Sequence, residues 1–209
     1  RRIGQMDGFQ YMEYIAPGLI MMSVITNSYG NVVGSFFNAK IQRHIEEMLV
    51  SPMSETSIVI GYLTGGIIRG VFVAAVVSLI TLFFTELNIQ HPFMAILVII
   101  MTAGVFSLAG LLNAIFAKKF DDIAIIPSFV LAPLTYLGGV FYTITLLPEF
   151  WQKVSYFNPI LYMVNAMRFS VLGESDIDIF TGILVILSFF IILLYTAIYL
   201  LKKGVGIRE

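Results

Sequence analysis

The chain has 209 residues, of which 58% are hydrophobic and 12% are charged, with a net charge of −1. Because a soluble domain has about a quarter of its residues charged, this composition excludes an ordinary water-soluble protein and indicates a membrane protein. The lack of a basic excess predicts no nucleic acid partner. The absence of cysteine excludes thiol chemistry, and two histidines far apart argue against a metal site.

Five apolar stretches are each long enough to cross a bilayer core of about 30 Å as a helix. They cover residues 14–37, 57–84, 93–117, 123–142 and 179–201. We therefore predict an all-α membrane protein with five transmembrane helices, forming a single transmembrane domain over residues 1–209.

Basic residues predict the orientation, because cytoplasmic loops are enriched in lysine and arginine. The cytoplasmic side would hold Lys40, Arg43, Lys118, Lys119, Lys202, Lys203 and Arg208. The outer side would hold Arg1, Arg2, Lys153 and Arg168. This orientation places the first residue outside, and no signal-peptide pattern follows it. We therefore expect a further span before it, so that the complete subunit has six.

The first span carries a polar stripe with a four-residue spacing, which places its members on one helix face. They are Ser23, Asn27, Asn31 and Ser35. Amides are costly to expose to lipid. The stripe therefore predicts either the lining of a transport pathway or hydrogen bonds between helices.

Small residues in the second and third spans predict close helix packing. They are Gly61, Gly65, Gly66 and Gly70 in the second span, and Ala103, Ser107, Gly110 and Ala114 in the third.

Arg69 is a full charge deep inside the second span. Burying an isolated arginine in a bilayer costs at least about 2.5 kcal/mol, so it needs a partner or water. It either lines a pathway or pairs with Glu47, Asp121 or Asp122.

The fourth span contains Pro127 and Pro133, each of which removes a helix hydrogen bond and favours a kink. It ends in Gly138 and Gly139, which predict a flexible outer exit. We count Pro127 and Pro133 as further candidates for lining the pathway.

Acidic residues are missing from the middle of every predicted span. Proton-coupled and sodium-coupled transporters usually need such carboxylates. The spans contain no nucleophile paired with a base, so the sequence does not suggest an enzyme. The sequence also lacks the GxxxxGK[ST] motif that binds nucleotide. Energy for transport would therefore come from another polypeptide.

Residues 38–52 form the most distinctive segment outside the spans. Ile41, Ile45, Met48 and Leu49 follow a helical spacing with charges on the other faces, and the pattern stops before Pro52. This pattern predicts a short amphipathic helix that either lies on the membrane or docks onto a partner.

The outer segment 143–178 is unusually apolar and aromatic for a solvated loop. Residues 147–156 and 159–172 are each about one short helix long, separated by Asn158 and Pro159. We predict two half-helices that dip into the outer leaflet, with an aromatic interfacial belt as the alternative.

Two of these segments resemble a known family. The run from Glu46 to Pro52 resembles the coupling-helix motif of ABC-2 type transporter permeases. The runs 137–142, 147–151 and 158–160, closing at Arg168, resemble that family's C-terminal signature. The resemblance covers the whole chain and implies the ABC-2 type permease fold, with an N-terminal interfacial helix and a first span preceding the residues seen here.

The resemblance implies a dimeric permease in the bacterial inner membrane, with each copy binding one cytoplasmic ABC ATPase that carries the ATP. It implies a coupling helix at residues 38–52 and an outer cap at residues 143–172. The coupling residues would be Lys40, Arg43, Glu46, Glu47, Leu49 and Pro52. The outer gate would comprise Gly138, Gly139, Phe141, Tyr142, Pro148, Trp151, Asn158, Pro159 and Arg168.

The leading hypothesis is therefore the permease subunit of an ATP-driven exporter, with no catalytic residue, metal or cofactor of its own. A channel or facilitator is the first alternative, because it also needs neither acidic residues nor an ATPase. A membrane scaffold that transports nothing is the second alternative.

Overall fold

The computed structural model describes residues 8–85 and 89–206, with only the backbone at Leu49. Arg1, Arg2 and Arg208, which entered the charge count, lie outside the described residues. The described chain is helical. Its α-helices are α1 (Tyr11–Ile41), α2 (His44–Val50), α3 (Glu55–Thr81), α4 (Pro92–Phe116), α5 (Phe120–Ile126), α6 (Ala132–Leu137), α7 (Glu149–Tyr156), α8 (Pro159–Leu172) and α9 (Ile179–Lys203).

Within the described residues, four helical stretches are long and apolar enough to cross a membrane. They are Glu55–Thr81, Pro92–Phe116, Phe120–Leu137 and Ile179–Lys203. The remaining predicted span lies in α1, whose 31 residues give a helix of about 46 Å. Helix α1 is long enough to cross but more polar, because it carries the polar stripe from Ser23 to Ser35.

Helix α1 lies at the centre of the helix bundle. It packs against α3, α4 and α8, and one face is buried from Tyr14 to Phe37. Helices α1 and α4 approach closely at Gly110, where an added Cβ would lie 2.6 Å from the carbonyl oxygen of Tyr29. Asn113 Nδ2 also donates to the Tyr29 hydroxyl at 2.7 Å. The small residues predicted in α4 are therefore confirmed as a packing face.

The fourth span is interrupted at its first proline. A π-helical turn covers Pro127–Leu131 and joins α5 to α6. Proline lacks an N–H group, so an α-helical hydrogen bond is lost there and a wider turn replaces it. Helix α6 ends at Leu137, five residues before the predicted end, because the chain turns at Gly138 and Gly139, the latter with φ of +73°.

The outer segment folds into the two short helices predicted from the sequence. Helix α7 covers Glu149–Tyr156, and α8 covers Pro159–Leu172. Between them, the Asn158 side chain accepts a hydrogen bond from the Ile160 N–H at 3.0 Å and donates to the Leu134 carbonyl at 2.6 Å. Asn158 therefore caps α8 and ties it to α6.

The opposite end of the bundle gathers the predicted cytoplasmic segments. Lys40 Nζ donates to the carbonyl oxygens of Ile115 and Ala117 at 2.7 and 2.8 Å, which caps the C-terminus of α4. The chain after α9 turns back toward the same end, and an added Cβ on Gly206 would collide with the Ile115 carbonyl. The ends of α1, α4 and α9 therefore lie together.

Candidate transport pathway and coupling site

The polar stripe of α1 lies on the face that the rest of the chain leaves open. Ser23, Asn27 and Asn31 are half-buried, and Ser35 is exposed, while the opposite face of the helix is fully buried. The exposed Gly30 and half-buried Gly34 extend this face, and an added Cβ at either would meet nothing within 4 Å. We call the six residues the polar face of α1.

Hydrogen bonds on this face run back to α1 itself. Ser23 donates to the Leu19 carbonyl at 2.9 Å, Asn27 donates to the Ser23 carbonyl at 3.0 Å, and Ser35 donates to the Asn31 carbonyl. These three side chains therefore do not join α1 to another helix within the described chain. An open polar face cannot be left against lipid at low cost, so it must meet water, a substrate or another polypeptide.

A cavity of about 250 Å³ continues the polar face toward α2 and α3. We call it the pathway cavity. Its lining comprises Asn31, Ser35, Met48, Met53, Ser57, Ile58, Gly61, Tyr62 and Gly65. Apolar walls with a few hydroxyl and amide groups are typical of sites for small amphiphilic molecules. Two flexible methionines allow such walls to adapt in shape.

The four glycines of α3 separate into two faces. Gly66 and Gly70 are buried, and an added Cβ on Gly66 would collide with Ser107 while one on Gly70 would lie 2.8 Å from the Ala103 Cβ. These two glycines form the predicted packing face. Gly61 and Gly65 are exposed and line the pathway cavity instead, so the packing prediction was wrong for them. Gly66 and Gly70 each follow Gly61 and Gly65 by five residues, which places the two pairs about 140° apart around the axis of α3.

Arg69 lies on the exposed side of α3. It forms no ion pair with Glu47, Asp121 or Asp122 within residues 8–85 and 89–206. Gly65 lies 3.9 Å from the Asn31 amide, measured from an added Cβ. Helices α1 and α3 run antiparallel, so moving one helical turn from the Gly65–Asn31 pair brings Arg69 of α3 level with Asn27 of α1. The position suits a cation beside the polar face of α1.

Helix α2 projects from the cytoplasmic end and is held by a sharp turn. Arg43 has a left-handed φ of 62°, which lets the chain change direction between α1 and α2. Ile45 is fully buried, and Met48 packs against the core. Glu46 and Glu47 point outward and are exposed. The predicted helix is therefore divided, because Ile41 belongs to α1 and is itself half-exposed.

The other predicted coupling residues lie at different depths. Lys40 is half-buried and caps α4, whereas Arg43 and Pro52 are exposed. The side chain of Leu49 lies outside the described residues. Their role in binding a partner stays a prediction, and the accessible members of the set are Arg43, Glu46, Glu47 and Pro52.

Arg168 organises the outer end. It is 2% exposed, and its Nη2 donates to the Gly139 carbonyl at 2.7 Å. Its Nη1 lies 3.5 Å from Asp176 Oδ2, and its guanidinium lies 4.0 Å from the centre of the Tyr14 ring. One side chain therefore joins α8 to the turn after α6, to the start of α1 and to the loop before α9.

The remaining outer-gate residues divide by exposure. Gly138 and Asn158 are buried with Gly139, whereas Phe141, Tyr142 and Pro159 are half-buried. Pro148 and Trp151 are exposed, and Trp151 packs edge-to-face with Phe150 at 5.4 Å. The exposed aromatic face of α7 fits both a half-helix in the outer leaflet and an interfacial belt.

Pro127 and Pro133 lie on the broken fourth span, away from the pathway cavity. Pro127 is half-buried and Pro133 is exposed. The described chain does not bring them to the polar face of α1. Their assignment to the pathway stays a prediction, which depends on how a second copy would pack.

Sequence reasoning missed several residues that line the pathway cavity. Met48, Met53, Ser57 and Tyr62 lie in α2, the segment after it and α3, and the fold brings them against Asn31 and Ser35 of α1. The sequence offered one indication of this cavity, because helical periodicity places Gly61 and Gly65 on a different face of α3 from Gly66 and Gly70. Periodicity indicates which residues share a face, but it does not indicate what covers that face.

Comparison with known proteins shows similarity along the whole chain. The family described as ABC-2 type transporter matches residues 2–172. The inner membrane transport permease YadH of Escherichia coli strain K12 is 52% identical over 211 residues, covering 100% of this chain and 81% of that protein. Nodulation protein J of Rhizobium leguminosarum bv. viciae is 22% identical over 187 residues, covering 88% of this chain and 72% of that protein.

Proposed function

Because the chain belongs to the ABC-2 type transporter family, we propose that it is the permease subunit of an ATP-driven exporter. Family membership makes it a transport permease and a multi-pass protein of the inner membrane, rather than an enzyme. The finer proposal is that two copies form the pathway and that each binds a separate cytoplasmic ATPase, which holds the ATP. The subunit itself would need no cofactor.

One observation carries this proposal. The pathway cavity has Asn31 and Ser35 of the polar face on one side and Met48 and Met53, from α2 and the segment after it, on the other. A force on α2 would therefore reach the wall of the pathway directly. ATP binding would bring two ATPases together, move α2, and change the shape of the cavity.

The polar face of α1 supports the dimer. Asn27 and Asn31 would lose hydrogen-bonding partners in hydrocarbon, at a cost of several kcal/mol for each unsatisfied group. A second copy facing α1 would enclose this surface and create a polar path between the two subunits. Arg69 would lie beside that path.

The first experiment is affinity purification of the protein, expressed in its native host with its own termini, followed by mass spectrometry. An ATPase recovered in equal amount supports the proposal. A homodimer without an ATPase would contradict it and favour the channel or facilitator.

Charge reversal on α2 tests the coupling itself. We expect Glu46→Lys with Glu47→Lys to abolish transport and ATPase binding while membrane insertion stays normal, because both carboxylates are exposed on α2. Asp121→Lys is the matched control, since Asp121 is also exposed at the cytoplasmic end but lies on α5. Normal transport by the double variant would exclude this coupling surface.

A further inference from the structure

A second cavity, of about 450 Å³, lies at the cytoplasmic end of the bundle and, like the pathway cavity, has α2 in its wall. We call it the basic cavity. It lies between the end of α1, the end of α4 and the chain after α9. Its lining comprises Phe37, Lys40, Ile41, Arg43, Ile45, Glu46, Phe116, Ala117, Lys118, Val205 and Gly206.

Charge in this lining is unbalanced. Lys40, Arg43 and Lys118 contribute three positive charges and Glu46 one negative charge, so the described lining has a net charge of +2. The Lys40 ammonium is fixed in the wall by the Ile115 and Ala117 carbonyls. Arg43 and Lys118 are exposed. The Asp122 carboxylate lies next to Lys118, whose backbone N–H donates to it at 2.8 Å, and the neighbouring Lys119 offsets its charge. Such an arrangement favours an anion at the mouth of the cavity.

The remaining walls are apolar and lie where spanning helices end. Ile41 is the last residue of α1, and Phe116 is the last residue of α4. Ile41 is 50% exposed and Phe116 is 58% exposed. Val205 extends this apolar surface after α9. Apolar side chains at the bilayer boundary, next to cations, match a molecule with an acyl part and an anionic head.

We propose that the basic cavity binds the phosphate of an anionic phospholipid of the cytoplasmic leaflet. Arg43 and Lys118 contact the phosphate, and the acyl chains lie along Ile41, Phe116 and Val205. Basic pockets between spanning helices on the cytoplasmic side are suited to such head groups. The bound lipid would hold the Arg43 turn, from which α2 projects. Binding itself does not depend on the proposed ATPase partner.

Native mass spectrometry of the delipidated protein, titrated with phosphatidylglycerol or phosphatidylcholine, tests the site. We expect clear preference for phosphatidylglycerol. Each basic side chain near an anionic head group contributes about fivefold in affinity, so Arg43→Gly with Lys118→Gln should weaken binding about 25-fold. Glycine is chosen because it adopts the positive φ of position 43 without strain. Lys40 is left intact because it caps α4.

Lys202→Gln is the control, since Lys202 is an exposed cation at the same end that does not line the cavity. An equal loss of binding in this variant, or no preference over phosphatidylcholine, would overturn the proposal. The last measurement is competition between soluble glycerol phosphate and phosphatidylglycerol for the site. If it competes as well as the lipid does, the site takes a free phosphate rather than a membrane lipid.

Discussion

Arg168 joins four parts of the outer end through a hydrogen bond to Gly139, an ion pair with Asp176 and a contact with the Tyr14 ring. A buried charge is stable only while its partners remain. The outer end should therefore be destabilised both by loss of the arginine and by loss of its carboxylate partner.

We expect Arg168→Met to lower the free energy of unfolding by about 3 to 5 kcal/mol, because the Asp176 charge and the Gly139 carbonyl lose their partner. Asp176→Asn should cost about 3 kcal/mol, because the Arg168 cation stays buried and loses the Asp176 counter-charge, although it keeps its bond to Gly139 and its contact with Tyr14. Denaturation in detergent checks both values. A loss below about 1 kcal/mol in both variants would contradict this role for Arg168.

Asp178 gives the outer end a pH dependence. Its Oδ2 accepts hydrogen bonds from the backbone N–H and the hydroxyl of Thr181, both at 2.9 Å, and these bonds hold its pKa below the usual range. A lowered folded pKa stabilises the fold above the unfolded value of about 3.9, and this stability is lost as pH falls through the folded pKa.

Asp178→Asn should therefore flatten the acid limb of stability below about pH 4, because asparagine still caps α9 but does not titrate there. Melting temperature measured against pH checks this prediction. Glu174→Gln is the control, as Glu174 is an exposed acid near the same loop. If the acid limb is unchanged in Asp178→Asn, the cap makes no contribution through its charge.

At the scale of helices, the contact between α1 and α4 depends on the missing side chain of Gly110. The neighbouring group is the Tyr29 carbonyl oxygen, which belongs to the backbone and is unable to rotate away. The two helices would have to separate to admit a methyl group. Gly61 on α3 offers the opposite case, because an added Cβ there meets nothing within 4 Å.

We expect Gly110→Ala to destabilise the protein by about 2 kcal/mol, because overpacking at a helix contact outweighs the gain of about 1 kcal/mol in helix propensity. Gly61→Ala should be neutral or stabilising by up to about 1 kcal/mol. Unfolding of the two variants side by side is the measurement. Similar stability in both would show that α1 and α4 are not in close contact at Gly110.

For the whole molecule, the pathway cavity and the basic cavity both have α2 in their walls, and the Arg43 turn determines where that helix points. The pathway cavity connects α2 to the polar face of α1, whereas the basic cavity connects it to the membrane boundary. Under the two proposals made above, helix α2 would respond both to a partner and to lipid.

Filling the pathway cavity tests its place in transport. We expect Gly61→Leu to reduce transport about tenfold, equivalent to about 1.4 kcal/mol on the barrier, without loss of stability, because the side chain enters open space. Thr64→Leu is the control, since Thr64 is exposed on the same helix but does not line the cavity. Unchanged transport in Gly61→Leu would remove this cavity from the pathway.

The sequence by itself determined the membrane class, the approximate positions of the spanning helices, the end of α7 and both bounds of α8. These features follow from local causes: the length of apolar runs, the scarcity of charge, and a capping asparagine before Pro159. It also identified Asn27, Asn31 and Ser35 as one face, because a helical period is fixed by the backbone.

Only the tertiary structure decided what meets each face. It buried Gly66 and Gly70 but left Gly61 and Gly65 open, divided residues 38–52 at Arg43, and joined Arg168 to Gly139 and Asp176. Periodicity is a property of a single helix, whereas burial depends on neighbours that are distant in sequence. The partners of a buried charge are therefore not encoded in its local sequence.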